Sequence, residues 1–285
     1  MVRSMTRSLA LIIGLALFFT NCGKKEETQQ QEQPAEQMAA TYQPTGDEAT
    51  ITGVVNFTGE PPARRKIQMD ADPVCAQKNP NALAEDVIVN NGKLQNVFIY
   101  VKSGAEKWSF PTPQEEVVLD QDGCVYVPHV LGIQANQPLK ITSSDNTNHN
   151  IHPSPKNNPE WNVSQPPGSP PIIKTFARAE VMIPVKCNQH PWMRAYIGVL
   201  RHPFYAVSKA DGTFELKGLP PGEYEIEAWH EKYGAQTTRV TLAAKEAKSI
   251  EFTYQATQAY RPGSLKMMPA LVLPCCGEGA NAEGH

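Results

Sequence analysis

The sequence has no excess of basic residues, which argues against a nucleic-acid-binding protein. Its 285 residues carry 26 Lys and Arg against 29 Asp and Glu, a formal net charge of −3, and no basic block interrupts the chain. We therefore expect no nucleic-acid partner. The sequence also lacks a P-loop, a paired-carboxylate motif and a nucleophile–histidine–acid set, so we expect a protein that is not an enzyme.

The chain also lacks an apolar run long enough to span a bilayer. The apolar run at residues 9–19 is shorter than the roughly 20 residues that a transmembrane helix needs. It follows Arg3 and Arg7 and ends just before Cys22, an order that resembles a bacterial lipoprotein signal. We predict a signal peptide over residues 1–21, lipidation at Cys22 and a lipid-anchored protein of the cell envelope, facing the periplasm or the outer membrane. Ordinary secretion with an incidental cysteine is the alternative.

Low-complexity segments flank the body of the chain. Residues 22–47 are rich in Lys, Glu, Gln and Pro and have almost no large apolar side chains, which predicts a solvated tether. Residues 257–285 lose periodicity and are predicted to form a flexible tail. A copper-loading arm is the alternative for this tail, because soft sulfur ligands suit Cu(I). The side chains concerned are Met267, Met268, Cys275, Cys276 and His285.

The pattern contains no long amphipathic helix, and short strands take its place. Runs of β-forming residues are separated by Gly- and Pro-rich turns, which is typical of antiparallel sandwiches or barrels. The sequence Asn90-Asn91-Gly92 predicts a hairpin, whereas the loop 153–171 is too rich in Pro and Asn for regular structure. We predict an all-β fold with strands at residues 51–57, 86–89, 94–101, 117–119, 125–127, 139–141, 172–176, 181–185, 195–200, 204–207, 212–216, 224–229, 237–242 and 249–254.

The most informative motif is a group of metal-binding side chains near residue 190. Cys187, His190 and Met193 fall on one short predicted loop, and His149 and His152 lie upstream, beyond a predicted strand. A thiolate, two imidazoles and a weak axial thioether form the ligand set of a mononuclear blue-copper site. A structural zinc site is the other metal option, but zinc sites rarely use Met.

Each of these side chains also has a purely structural interpretation. Cys187 can be a buried apolar residue or half of a disulfide with Cys75 or Cys124. Met193 can fill the core and leave three ligands to the metal. His190 can bond a backbone carbonyl from its loop.

Residues 113–203 resemble a cupredoxin, the domain of plastocyanin and amicyanin. The resemblance is carried by the stretches 125–129, 139–141 and 146–151, together with the Cys-x-x-His-x-x-Met loop. It implies a Greek-key β-sandwich that binds one type 1 copper through His149, Cys187, His190 and Met193. The resemblance favours His149 over His152, because a His-Asn pair leaving a strand is the cupredoxin pattern. The long Pro-rich insert before Ile172 departs from the small cupredoxins.

Residues 48–112 and 204–256 resemble the two halves of a carboxypeptidase regulatory-like domain, which is a transthyretin-like β-sandwich. The stretch 210–224 joins an Asp-Gly turn to a Leu-Pro-Pro-Gly turn, and 51–62 looks like the usual first strand with its Pro-Pro turn. The resemblance implies a discontinuous domain with the cupredoxin 113–203 inserted in it. Two consecutive domains are the alternative.

Cys75 and Cys124 are the remaining cysteines in the body of the chain. An exported protein meets an oxidising compartment, where these two can pair, although spacing alone does not fix the pairing. With a discontinuous domain, a Cys75–Cys124 disulfide would join the insert to its host.

These patterns together predict an exported, lipid-anchored copper protein that carries single electrons. Its expected partners are a redox protein, such as a cytochrome or a membrane oxidase or reductase, and the membrane through the lipid anchor. One alternative is a copper-binding or copper-delivery lipoprotein without a role in electron transfer. The other is a surface glycan-binding or adhesive protein with a structural metal.

Overall fold

The structure is a computed structural model that describes residues 39–258, and strands dominate this range. The predicted all-β fold is confirmed. The first ten strands are β1 (Ala40–Thr41), β2 (Ala49–Thr58), β3 (Val89–Asn90), β4 (Lys93–Leu94), β5 (Phe98–Ser103), β6 (Trp108–Ser109), β7 (Val117–Asp122), β8 (Val125–Val127), β9 (Val130–Gln134) and β10 (Leu139–Ser143). The others are β11 (His149–Pro153), β12 (Val163–Gln165), β13 (Ile172–Lys174), β14 (Glu180–Lys186), β15 (Arg194–Leu200), β16 (Tyr205–Val207), β17 (Thr213–Leu219), β18 (Gly222–His230), β19 (Gly234–Leu242) and β20 (Ala247–Gln255). The helix α1 spans Pro73–Lys78, and a 3-10 turn spans Ala256–Gln258.

Some predictions concern residues that lie outside the described range. These are the signal peptide 1–21, lipidation at Cys22, most of the tether 22–47 and the sulfur-bearing residues of the tail. They stay predictions. Within residues 39–258, no helix is both long enough and apolar enough to cross a membrane.

Strands β7 to β15 build a sandwich that we name the central sandwich. One of its sheets has the order β13-β10-β7-β8, and the other has the order β12-β11-β14-β15-β9. The pairs β7–β10 and β9–β15 are parallel, so strands that are distant in sequence lie side by side. Alternate side chains point between the two sheets, and Leu119, Ile141 and Ile197 are fully buried in the core formed there.

Strands from both sides of the central sandwich build a second unit, which we name the flanking sandwich. Its sheets have the orders β16-β5-β18-β19 and β17-β2-β4-β3, and β20 also pairs with β2. The β2–β20 pair is parallel and runs from Thr50 opposite Ala247 to Thr58 opposite Gln255. Residues before and after the central sandwich therefore share hydrogen-bonded sheets and one apolar core.

The segment 66–84 leaves the flanking sandwich and packs against the central one. The sequence predicts this segment in the host half, 48–112, but the side chains of Ile67, Met69 and Cys75 lie in the central core. Each of these three is less than a tenth exposed. The segment 66–84 therefore packs with the central sandwich, although the predicted boundary assigns it to the other one. It contains no named strand, so no strand pattern in the sequence indicates which sandwich it joins.

Helix α1 begins within this segment and was not predicted. Asp72 is its N-cap, since its side chain accepts the backbone N–H groups of Val74 and Cys75, and Pro73 follows at the start of the helix. A disulfide joins Cys75 to Cys124, next to the turn between β7 and β8. The cysteine pair thus connects two parts of the central core.

The two sandwiches meet where an aromatic ring rests on paired glycines. Gly132 of β9 lies opposite Gly198 of β15. A Cβ atom on Gly198 would come within 2.4 Å of the Phe98 ring, and one on Gly132 within 2.2 Å of the Tyr205 ring. Only glycine leaves room at these positions, and the fully buried Phe98 is held between the sandwiches.

We expect His230 to make the flanking sandwich sensitive to acid. It is 1% exposed, and burial lowers its pKa from 6.5 to about 4. Its contribution to stability is present above pH 6.5 and is lost as the pH falls through about 4, because the unfolded chain binds the proton more tightly. The loss amounts to about 2–3 kcal/mol. Urea unfolding at pH 7.5 and pH 4.5 should therefore show a smaller acid loss for His230→Phe than for the unmodified protein, and equal losses would contradict a buried neutral His230.

Candidate metal centre

Two strands and one short loop bring the predicted metal ligands together. His149 opens β11, Cys187 follows β14, and His190 and Met193 lie on the loop before β15. The loop is closed by backbone hydrogen bonds from the Met193 N–H to the His190 carbonyl, at 2.9 Å, and from the Cys187 N–H to the Met193 carbonyl, at 3.3 Å. The side chains are almost fully buried, with exposed fractions of 0% for His149 and Met193, 2% for Cys187 and 4% for His190.

The ligand atoms face one another across a small gap. The Nδ1 atoms of His149 and His190 are 2.9 Å apart, and Sγ of Cys187 lies 3.8 Å from Nδ1 of His190. One ligand atom from each of these three residues lies within 4.8 Å of the other two. Two nitrogens bound about 2.0–2.1 Å from one metal at an angle near 100° are about 3.1 Å apart. The spacing and the donor set therefore fit a first-row transition metal.

His149 is held from behind by a buried carboxylate. Its Nε2 lies 2.9 Å from Oδ2 of Asp145, and both side chains are fully buried. Burial alone would raise the pKa of Asp145, but the hydrogen bonds from His149 and Lys78 keep it well below its usual range. Asp145 therefore stays ionised and fixes Nε2 as the protonated nitrogen of His149, which leaves Nδ1 for a metal.

His190 has a carboxylate partner of its own. Its Nε2 lies 3.0 Å from Oδ2 of Asp72, and Sγ of Cys75 lies 3.8 Å from the same nitrogen. The outer edge of the ring is thus covered by the segment 66–84. The ring of Trp192 packs beside it, with centroids 5.0 Å apart, and the Trp192 indole N–H donates to the Cys124 carbonyl at 3.0 Å.

The thiol of Cys187 is oriented by Asn150. Sγ lies 3.3 Å from Oδ1 of Asn150, which also accepts the Asn188 N–H at 2.7 Å. Burial alone would raise the pKa of Cys187, but hydrogen bonding with His149 and backbone N–H groups lowers it. A lowered pKa favours the thiolate, which is the form that binds metals.

A hydrogen bond joins the two imidazoles through their Nδ1 atoms. Burial alone would lower the pKa of His149, but Asp145 outweighs it and raises the pKa to about 9, whereas burial lowers the pKa of His190. A doubly protonated His149 can therefore donate from Nδ1 to the bare Nδ1 of His190. A metal bound between the two Nδ1 atoms would displace this proton.

The structure separates His149 from the other candidate imidazole. Nδ1 of His152 lies 3.1 Å from Oδ1 of Asn188, and its Nε2 pairs with Glu160. His152 is therefore engaged at the rim, and His149 points to the cluster. Within residues 39–258, Cys187 is the one free cysteine, so it does not take part in the disulfide that the structural interpretation allowed.

Two carboxylates that support the candidate ligands were not singled out from the sequence, whereas Asn150 belongs to the His-Asn pair noted above. Asp145 precedes His149 by four residues, so it was within reach of local sequence reasoning. Asp72 is 118 residues away from His190, and no local signal connects the two.

Comparisons with known proteins give one family match and several weak structural similarities. Residues 190–255 match the family model of the carboxypeptidase regulatory-like domain. No curated protein matches the chain. The matched residues include β16 to β20 of the flanking sandwich.

Among solved structures, the chain is weakly similar to copper proteins. The copper-containing nitrite reductase of Thermus scotoductus SA-01 is 18% identical with a TM-score of 0.29, over 36% of this chain and 25% of that one, so the chain spans about a quarter of its length. A purple cupredoxin of Nitrosopumilus maritimus is 19% identical with a TM-score of 0.25, over 29% of this chain and 97% of that one. A Cu(I) amicyanin variant is 20% identical with a TM-score of 0.26, over 30% and 81%.

Proposed function

We propose that this protein is a type 1 copper protein that carries single electrons. The observation that supports this most is the convergence of two imidazole Nδ1 atoms and one thiol sulfur in a buried gap. Copper bound there would supply a one-electron couple. His149, His190 and Cys187 would hold the copper, and the buried Met193 on the same loop would supply a weakly bound thioether sulfur.

The chemistry of the donors favours copper over zinc. A closed structural zinc site takes four Cys, His or carboxylate ligands. Here the described cluster offers two imidazoles and one thiolate, and the next soft group on the loop is a thioether. A thiolate suits both metals, whereas a thioether is a soft ligand that copper uses and zinc rarely does.

Burial of the ligands favours electron transfer over copper delivery. A delivery protein must pass its metal to a partner, which requires ligands that the partner can reach. The most exposed of the four proposed ligands, His190, is only 4% exposed. Ligands held this firmly keep one geometry in both oxidation states, which makes the reorganisation accompanying electron transfer small.

The cellular setting is part of the same proposal. The resemblance of residues 1–22 to a lipoprotein signal supports a location at a membrane of the cell envelope, outside the cytoplasm. The disulfide between Cys75 and Cys124 is of the kind that persists in oxidising compartments. The proposed partner is a cytochrome or a membrane oxidase or reductase, and the protein itself transforms no substrate.

A redox titration tests the proposal. We expect the protein to bind one copper ion, and we expect one electron to reduce it reversibly, with the visible absorption disappearing and returning. The titration is best made with Cys275→Ser/Cys276→Ser protein, so that the tail thiols bind no copper. Copper that dissociates on reduction, or that is never reduced, would contradict an electron carrier and favour delivery.

A further inference from the structure

Helix α1 lies between the two carboxylates that hold the two ligand imidazoles. Asp72 caps its first turn and contacts His190. Lys78 is its last residue and contacts Asp145, which in turn contacts His149. We propose that α1 with its N-cap is a brace that positions both imidazoles for the metal. The identity of the metal that this brace serves rests on the proposed function. The contacts that form the brace do not depend on it.

The carboxylate of Asp72 is fixed on both of its oxygens. Oδ1 accepts the backbone N–H groups of Val74 at 2.9 Å and Cys75 at 3.3 Å. Oδ2 accepts from the Thr147 hydroxyl at 2.6 Å and lies 3.0 Å from Nε2 of His190. A carboxylate with this many donors has one orientation, so it can impose one orientation on the imidazole.

The other end of the brace holds Asp145 in a similar way. Lys78 Nζ lies 2.8 Å from Oδ1 of Asp145 and 2.6 Å from Oδ1 of Asp122, and it donates to the Ser144 carbonyl at 2.8 Å. Because the Asp145 side chain is fully buried, its charge needs partners. Lys78 is a cationic partner supplied from outside the metal-binding strands.

The β7–β8 turn connects α1 to Asp145. The disulfide from Cys75 fastens the helix to Cys124. Beyond the helix, the Asn79 side chain donates to the Gly123 carbonyl at 3.0 Å. The backbone N–H groups of Gly123 and Cys124 each donate to Asp145 at 2.8 Å. The helix, the β7–β8 turn and Asp145 thus form one continuous hydrogen-bonded unit.

The brace acts on the metal through the tautomer and orientation of the rings. A carboxylate at Nε2 keeps the proton on that nitrogen, leaves Nδ1 as the ligand atom and makes it more basic. Loss of such a partner weakens metal binding about 10–100-fold. Asp72 is therefore a positioning residue for His190, although it lies in a segment that the sequence assigned to the other sandwich.

The test compares Asp72→Asn with Asp70→Asn, a matched loss of charge two residues away on an exposed position. The amide introduced by Asp72→Asn can still cap α1 through its oxygen, but its N–H group then faces Nε2 of His190 and favours the wrong tautomer. In the metal-free protein, we expect the ring-nitrogen NMR shifts of His190 to move in Asp72→Asn and to stay unchanged in Asp70→Asn. We expect Zn²⁺, measured by competition with a chelator, to bind Asp72→Asn about 10–100-fold more weakly.

A second variant, Lys78→Gln, tests the other end without removing the cap. We expect it to weaken Zn²⁺ binding and to shift the ring-nitrogen signals of His149 rather than His190. Unchanged Zn²⁺ affinity and ring shifts in both Asp72→Asn and Lys78→Gln would overturn the brace. A different result would contradict the proposed function. If the unmodified protein binds Zn²⁺ tightly but forms no blue-copper centre, the electron-transfer proposal is wrong, and the proposal that α1 positions the imidazoles is unaffected.

Discussion

We expect that replacing Cys187 by Ser will remove the intense visible absorption proposed for the copper-loaded protein. That absorption requires charge transfer from a thiolate to Cu(II), and a serine hydroxyl cannot supply it. The two imidazoles remain, since His149 and His190 keep their carboxylate partners, so the variant should still bind Cu(II), more weakly and as an ordinary, pale centre. Visible spectra at equal copper occupancy make this comparison.

The control for this substitution removes sulfur elsewhere. Cys275→Ser/Cys276→Ser makes the same chemical change in the tail, and His152→Ala removes the rim imidazole. Both should keep the absorption of the unmodified protein. An intense band that survives Cys187→Ser, or one that disappears with the tail thiols, would show that the buried cluster is not the origin of the colour.

Removal of the disulfide has the second large expected effect, in this case on stability. Cys75 and Cys124 are separated by 49 residues, and closing a loop of that length stabilises a fold by about 4 kcal/mol through the unfolded chain. Cys75→Ala/Cys124→Ala should therefore lower the free energy of unfolding by about that amount, as measured by urea unfolding without reductant. It should also weaken metal binding, because Cys75 anchors α1.

The single variant Cys187→Ser serves as the control for this measurement, because it removes a buried thiol and leaves the disulfide intact. Its unfolding free energy in the metal-free state should change by less than about 2 kcal/mol. A double variant that is as stable as the unmodified protein would contradict the disulfide between Cys75 and Cys124.

The sequence predicted the strands well because their signals are local. Period-two alternation and Gly- or Pro-rich turns mark most strands of both sandwiches, and the Asn90-Asn91-Gly92 turn does join β3 to β4. Five strands, β1, β6, β9, β11 and β12, and the helix α1 escaped the same reasoning. The strand β9 follows closely on β8, β12 lies in the Pro-rich loop, and α1 is only six residues long, too short for helical periodicity to show.

The proposed ligands were partly predictable for the same reason. Cys187, His190 and Met193 sit on one loop, so their proximity follows from the sequence. His149 and His152 are an odd number of residues apart on β11, which puts them on opposite faces of the strand. The spacing of the two histidines alone does not show which face of β11 points into the core.

The supporting carboxylates show where local reasoning ends. Asp72 carries a good helix N-cap signal with Pro73 behind it, but its contact with His190 depends on how the segment 66–84 crosses to the central core. That crossing is a property of packing between distant residues. Sequence patterns with a short period do not contain it.

The most direct test of the account is to load the purified protein with one equivalent of Cu(II) and record its visible and EPR spectra. The account predicts an intense thiolate-to-copper band and a narrow copper hyperfine splitting. A pale sample with an ordinary copper EPR signal, or a protein that binds no copper, would contradict a type 1 centre built by His149, Cys187, His190 and Met193.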